Sequence, residues 1–260
     1  MDIRKHNRKA WNKQVDEGNI WTVPVSPQEV AAARQGKWNL LLTPTKPVPR
    51  SWYPNLLGSK VLCLASGGGQ QGPILAAVGA EVIVFDNSPR QLDQDRQVAE
   101  RECLNLVTLE GDMRDLSRFG DNTFDLVFHP VSNIFIPDLQ PLWEEVFRVL
   151  KPGGVLLAGC TNPLRYLFDD ELLDSQGILD VKHKLPYADP EVLNEEQLKK
   201  YINEGWALEF SHSLEAQIGG QLDAGFVLTG FYEDSYPADF NDPISEFTPS
   251  FFATRAVKPR

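Results

Sequence analysis

The chain has 260 residues, of which 42% are hydrophobic and 23% charged, an ordinary composition for a folded protein with a sizeable core. Acidic residues outnumber basic ones 36 to 25, a net charge of −11, which argues against tracking of a nucleic-acid backbone or docking on an anionic membrane. No apolar run approaches the roughly 18 residues of a membrane span. The basic start, MDIRKHNRKAWNK, has no apolar stretch behind it and does not read as a secretory signal. The three cysteines, Cys63, Cys103 and Cys160, are too scattered for a disulfide framework or a metal site. The expectation is a cytoplasmic protein with no metal.

Residues 1–55 hold four of the six tryptophans, Trp11, Trp21, Trp38 and Trp52. One helix is predicted there. Ser26-Pro27-Gln28-Glu29 is a capping box with proline at the first helical position, and Gly36 is the stop. Pro44, Pro47, Pro49 and Pro54 predict an extended connector after it.

From Lys60 to Cys160 short apolar runs alternate with helical stretches. The runs are VLCLA (61–65), EVIVFD (81–86), NLVTLEGD (105–112), FDLVFHP (124–130) and GVLLAGC (154–160). Rich in Val, Ile, Leu and Phe and lacking polar alternation, they read as strands covered on both faces. Ser88 caps a charged helix running to about Cys103, and Asp138 a helix ending at Leu150, before Lys151-Pro152-Gly153-Gly154. Such alternation predicts right-handed βαβ units and a parallel, doubly wound sheet.

Residues 161–211 lose this regularity and predict small elements forming a lid-like insertion. Asn194 caps a short helix within it. Ser213 then opens a helix whose apolar face is Leu214, Ile218 and Leu222, stopped at Gly225. FVLTGFY (226–232) and SFFATRAV (250–257) read as an antiparallel strand pair. The acidic runs Asp169-Asp170-Glu171 and Glu195-Glu196 read as solvated faces.

The first strand runs straight into Ala65-Ser66-Gly67-Gly68-Gly69-Gln70-Gln71-Gly72. Glycines let a backbone turn sharply and approach a ligand. The second strand ends at Asp86, placed to take both hydroxyls of a ribose. Gly67-x-Gly69-x-x-Gly72 with Asp86 satisfies the dinucleotide fingerprint of an NAD-dependent oxidoreductase. The same features suit S-adenosylmethionine, which needs a ribose carboxylate but no pyrophosphate cradle.

The order and spacing of five segments between Val61 and Gly159 resemble the core of class I S-adenosylmethionine-dependent methyltransferases of small-molecule type. These are VLCLASGGG, VFDNSPRQL, EGDMRDL, DNTFDLVFHPVSN and VFRVLKPGGVLLAG. LEAQIGGQLDAGFVLTGFYED resembles the family's closing helix and antiparallel strand. The whole chain, including WNKQVDEGN and LTPTKPVPRSW, resembles a bacterial subgroup known only as methyltransferases.

The resemblance implies a Rossmann-like, mostly parallel sheet of seven strands with an antiparallel last strand. Residues 56–260 form the methyltransferase domain, 1–55 an N-terminal extension and 161–211 an insertion. The implied cofactor is S-adenosylmethionine, leaving as S-adenosylhomocysteine, and the partner is a small-molecule acceptor. Ala65, Ser66, Gly67 and Gly69 would turn around the methionine part, Asp86 and Asn87 hold the ribose, and Gly111, Asp112 and Met113 hold the adenine. His129, at the end of the fourth strand, is placed either as a general base or against the methionine part. Trp11, Ser132 and Asn133 are candidate substrate contacts. Lys46 and Arg50 could neutralise the cofactor carboxylate, and His212 reads as a local cap.

Two positions depart from the family pattern. Cys63 stands where an acid is usual, and Ala65 where a glycine is. An alanine there predicts a negative φ. A non-catalytic cofactor-binding protein is the other reading of the same residues.

Overall fold

The computed structural model describes residues 1–240 and 242–260, apart from the side chains of residues 170, 171 and 174. Asp170 and Glu171 of the first acidic run therefore lie outside the described side chains, while Glu195 and Glu196 are exposed as expected.

Seven strands form one sheet: β1 (Lys60–Leu64), β2 (Glu81–Asp86), β3 (Leu106–Glu110), β4 (Phe124–His129), β5 (Leu150–Thr161), β6 (Val227–Asp234) and β7 (Phe251–Val257). Their order is β3-β2-β1-β4-β5-β7-β6. β7 alone runs against its neighbours, pairing antiparallel with both β5 and β6. The chain order reverses beside β1, so the ends of β1 and β4 flank the crevice where open sheets of this kind bind ligands. Leu64 pairs with Phe85, and the Ala65 amide donates to the Phe85 carbonyl at 2.8 Å.

Alternation along the strands divides the core between two faces. Val61, Cys63, Val84 and Phe128 pack toward α3 (Gln71–Ala77) and α4 (Pro89–Glu102). Leu62, Leu64, Phe85 and Val127 pack toward α5 (Gln140–Val149), whose Leu142, Trp143, Val146 and Val149 are buried. Each fully buried side chain of this size contributes about 1.5–3 kcal/mol.

The cap signals are largely realised. Ser26 and Glu29 form a capping box on α2 (Pro27–Arg34), and Ser88 Oγ accepts the Gln91 amide on α4. Asp138 Oδ1 accepts the Gln140 amide at 3.0 Å, but it stands one residue before the N-cap of α5, Leu139, which has no side-chain cap.

Two features differ from expectation. Residues 3–16 form a helix, α1 (Ile3–Asp16), that hydrophobic periodicity does not reveal. Only Asn7 and Ala10 on it are buried, and polar bonds rather than an apolar stripe dock it.

The helix after Ser213 also presents another face. Leu214 and Leu222 are exposed, whereas Gln217 and Gln221 are buried. The segment begins as a π-turn over 215–219 and continues as a short helix over Gly220–Asp223. The wider turn changes the periodicity on which the prediction rests. Gly220 meets the Trp143 ring so closely that a Cβ would lie 2.7 Å from it. Gln217 and Gln221 are accommodated by hydrogen bonds: Gln217 Nε2 donates to the His212 carbonyl and Gln221 Oε1 accepts from Thr254.

Residues 161–211 form short elements, including α6 (Asp170–Gln176), α7 (Asp189–Val192) and α8 (Glu195–Glu204). Among the described residues no helix is long and apolar enough to cross a membrane.

Candidate functional site

A cavity of about 1470 Å³ opens over the C-terminal ends of β1, β2 and β4. Its inner wall contains Ala65, Ser66, Gly67, Asp86, Asp112 and Met113. Its outer wall contains Trp11 of α1, Trp21 and Trp38 of the N-terminal segment, and Trp206 beyond α8. The sequence elements furthest apart in the chain therefore meet around one space.

The turn after β1 is held by carboxylates. Asp86 Oδ2 accepts the Gly67 amide at 3.0 Å, and its Oδ1 accepts the Ser88 amide at 2.8 Å. Burial pushes the Asp86 carboxyl above its usual range, against the lowering effect of the Ser88, Gly67 and Asn87 amides. A Cβ on Gly67 would lie 2.6 Å from Gln91 Cβ and 3.1 Å from Asp86 Oδ2, so the close approach requires glycine.

Asn87 sits at the rim and exchanges two hydrogen bonds with Arg4 of α1. Asp112 is bound by its neighbour Arg114, whose side chain donates to both carboxylate oxygens at 3.1 and 2.7 Å. Burial pushes Asp112 up, but the bonds and charge of Arg114 outweigh it and hold the carboxyl below its usual value.

Ala65 does not have the negative φ expected of an alanine. Its φ is +47°, in the left-handed region. That conformation costs about 1 kcal/mol for a residue with a Cβ. The bond to Phe85 and the sharp departure from β1 impose it.

Gly69 and Gly111 stand behind the cavity wall rather than in it. Gly69 is covered by the N-terminal segment: its carbonyl accepts the Val25 amide at 2.9 Å, and a Cβ would meet Pro24 at 2.6 Å. Gly111 passes over the Phe85 ring, where a Cβ would lie 1.9 Å from Cζ.

His129 is placed differently from expectation. It follows Phe128 by one residue, so its side chain shares the face of Val127 and packs edge-on against Trp143 at 6.2 Å. The ring is fully buried and is not part of the cavity wall. Nδ1 donates to the Leu64 carbonyl at 2.9 Å, and Nε2 has no partner among the described residues. Burial pushes its pKa down to about 4, with the Leu64 bond opposing, so the ring is neutral at pH 7.

Asn133 is likewise fully buried and bonds Cys160 Sγ at 3.4 Å behind the wall. Ser132 does line the cavity, with its hydroxyl donating to the Pro130 carbonyl at 2.9 Å. Trp11 lines it too, edge-on to Phe135 at 5.2 Å.

Lys46 lies away from the cavity, over the Tyr232 ring, whereas Arg50 reaches its wall. His212 is not a local cap. Its Nε2 lies 3.1 Å from the Asn133 carbonyl, where it donates and ties the segment just after the insertion to the exit of β4. Ser213 accepts the Ala216 amide instead.

Sequence reasoning missed several contributors. Gln91 and Asp95 on α4 underlie the glycine turn, and Asn7 joins α1 to the insertion. The far wall holds Arg165, Tyr166, Tyr187, Asp189 and Glu209. There Tyr166 donates to Glu209 at 2.6 Å and Tyr187 to Asp189 at 2.7 Å. Only a tertiary fold brings these residues, far along the chain from the glycine turn, into one cavity.

This sheet order, with a glycine turn after the first strand and an acid ending the second, is that of the class I S-adenosylmethionine-dependent methyltransferases. Residues 62–158 match the family model described as "Methyltransferase domain". The chain is 53% identical over 253 residues to "Uncharacterized methyltransferase YbaJ" of Bacillus subtilis, covering 97% of each chain. It therefore belongs to the S-adenosylmethionine-dependent methyltransferases, and S-adenosylmethionine is its cofactor.

A sterol 24-C-methyltransferase of Aspergillus fumigatus is 39% identical over 101 residues, which are 38% of this chain but 26% of that enzyme. A solved S-adenosylmethionine-dependent methyltransferase of Mesorhizobium loti shares the fold with a TM-score of 0.62 at 16% identity, covering 80% of this chain and 95% of that one. One from Listeria monocytogenes does so with a TM-score of 0.59 at 18% identity, covering 88% and 100%.

Proposed function

We propose that the chain methylates a small-molecule acceptor bound in the same cavity as the cofactor, and that it works in the cytoplasm. The observation that carries this reading is the cavity itself. At about 1470 Å³ it exceeds the roughly 300–1,000 Å³ of a single ligand site, and its outer wall is built by α1, the N-terminal segment and the insertion. A space so walled suits a small acceptor better than a macromolecule.

The residues fit the cofactor. Gly67 leaves a place where no Cβ could stand, and Asp86 offers a carboxylate at the cavity wall beside it. In this reading Ala65, Ser66 and Gly67 face the methionine part, Asp86 and Asn87 the ribose, and Asp112 and Met113 the adenine. Gly69 and Gly111 act through the backbone they shape. When bound, S-adenosylmethionine supplies a methyl group on a positively charged sulfur, ready for in-line displacement.

The protein aligns the two reactants and excludes water. Ser132 and Trp11 border the acceptor space, with the Tyr166–Glu209 and Tyr187–Asp189 pairs on its far side. His129 serves as packing beneath the glycine turn, so the reaction relies on alignment rather than on this histidine.

Calorimetric titration tests the reading. Micromolar binding of S-adenosylhomocysteine to the wild type is expected, followed by methyl incorporation into a small-molecule acceptor in a cofactor-consumption screen. Absence of binding, or transfer only to macromolecules, overturns it.

A further inference from the structure

We propose that Asp95 is a positioning residue of the cofactor site, its buried carboxylate holding the Gly67–Gly69 turn in the shape that receives the methionine part. The proposal rests on the reading that this turn holds that part of the cofactor.

Asp95 lies on α4 and is fully buried. Its Oδ2 accepts the Gly68 amide at 3.0 Å, and the Gly69 amide also donates toward the carboxylate. Gly68 and Gly69 have φ of +116° and +75°, which turn successive amides inward. Successive amides converging on one carboxylate make an anion nest. Asp86 takes the remaining amide of the triplet, that of Gly67. Two carboxylates from two elements thus hold one three-residue turn.

Burial pushes the Asp95 carboxyl up to about 8, the Gly69 and Gly68 amides opposing it only in part, and Oδ1 has no partner among the described residues. The Gly68 amide is shared with the Gln91 carbonyl at 3.1 Å, so the carboxylate and the first turn of α4 hold it together. Cys63, on the strand leading into the turn, lies near enough for its thiol to interact electrostatically with Asp95. At position 63 the sequence resemblance expects an acid. In this chain the acid approaches the turn from α4 instead. Its side chain is reached through the helix rather than the strand, so only the fold reveals the exchange.

The test is titration with S-adenosylhomocysteine. Wild-type protein binds, and Asp93→Asn, on the exposed side of the same helix, binds equally well. Asp95→Asn keeps one acceptor oxygen but sets an NH2 donor against the other amide of the turn, and weakens the Kd by about tenfold. Cys63→Asp added to Asp95→Asn returns a carboxylate to the turn and recovers most of the affinity. A purely structural Asp95 gives no such rescue, because a second buried acid only adds to the damage.

Amide exchange of Gly69, read by NMR with glycine labelling, is the parallel measurement and needs no double variant. It accelerates at least tenfold in Asp95→Asn. An unchanged Kd in Asp95→Asn, an unchanged Gly69 exchange rate, or a folded double variant that binds no better than Asp95→Asn overturns the proposal. Failure of the wild type to bind overturns the cofactor reading itself, a distinct result.

Discussion

Asn7 grips Leu208 as a neighbouring strand would. Its Nδ2 donates to the Leu208 carbonyl at 2.9 Å, and its Oδ1 accepts the Leu208 amide at 2.8 Å. The same Nδ2 also reaches the Phe135 carbonyl at 3.1 Å. One side chain of α1 therefore joins the insertion to the exit of β4, at the outer wall of the cavity. Asn7→Ala leaves buried backbone groups unpaired and should lower stability by about 2–3 kcal/mol in urea unfolding. Asn7→Asp keeps the acceptor but loses the donor, and should lose at least half as much.

Asp86 is expected to dominate cofactor affinity. Asp86→Ala removes the proposed ribose carboxylate and frees the Gly67 and Ser88 amides. The Kd for S-adenosylhomocysteine should rise about 30- to 100-fold, equivalent to roughly 2–3 kcal/mol. Calorimetry that finds the affinity retained removes Asp86 from the site.

His129 should make the fold acid-sensitive. Its folded pKa, near 4, is depressed below the unfolded value of 6.5. Between these values the unfolded chain binds a proton that the folded chain refuses. The stabilisation is complete above pH 6.5 and is lost as pH falls toward 4, by on the order of 3 kcal/mol. Urea midpoints across this range should fall less steeply in His129→Gln than in the wild type. The same variant should bind S-adenosylhomocysteine within about twofold of wild type at pH 7.5, because the ring is outside the cavity wall.

Ala65→Gly should not destabilise the protein. Relief of the left-handed strain at φ +47° offsets the greater unfolded-state entropy of glycine, leaving a change within about 0.5 kcal/mol. Ala65→Val at the same site should cost more than about 2 kcal/mol, since a β-branched residue is far less tolerant of positive φ. Thermal unfolding of the two variants checks the contrast.

The sequence by itself determined the sheet, the glycine turn and the acid at its side. β1, β2, β4 and β5 are covered on both faces, so their apolar runs stand out without alternation. Ser26 and Ser88 mark helix starts through local hydrogen bonds that need only three neighbouring residues. Asp86 was legible because strand and turn fix its position relative to Gly67.

Tertiary structure decided the rest. α1 is docked by Asn7 and other polar groups, so no apolar stripe announces it. One step of strand parity turns His129 away from the cavity, and a π-turn buries Gln217 and Gln221 in place of Leu214 and Leu222. Asp95 reaches the glycine turn through the packing of α4 on β2 and β3. Local pattern encodes how each segment buries its own surface, but it does not encode which distant segment supplies a buried polar group with its partner.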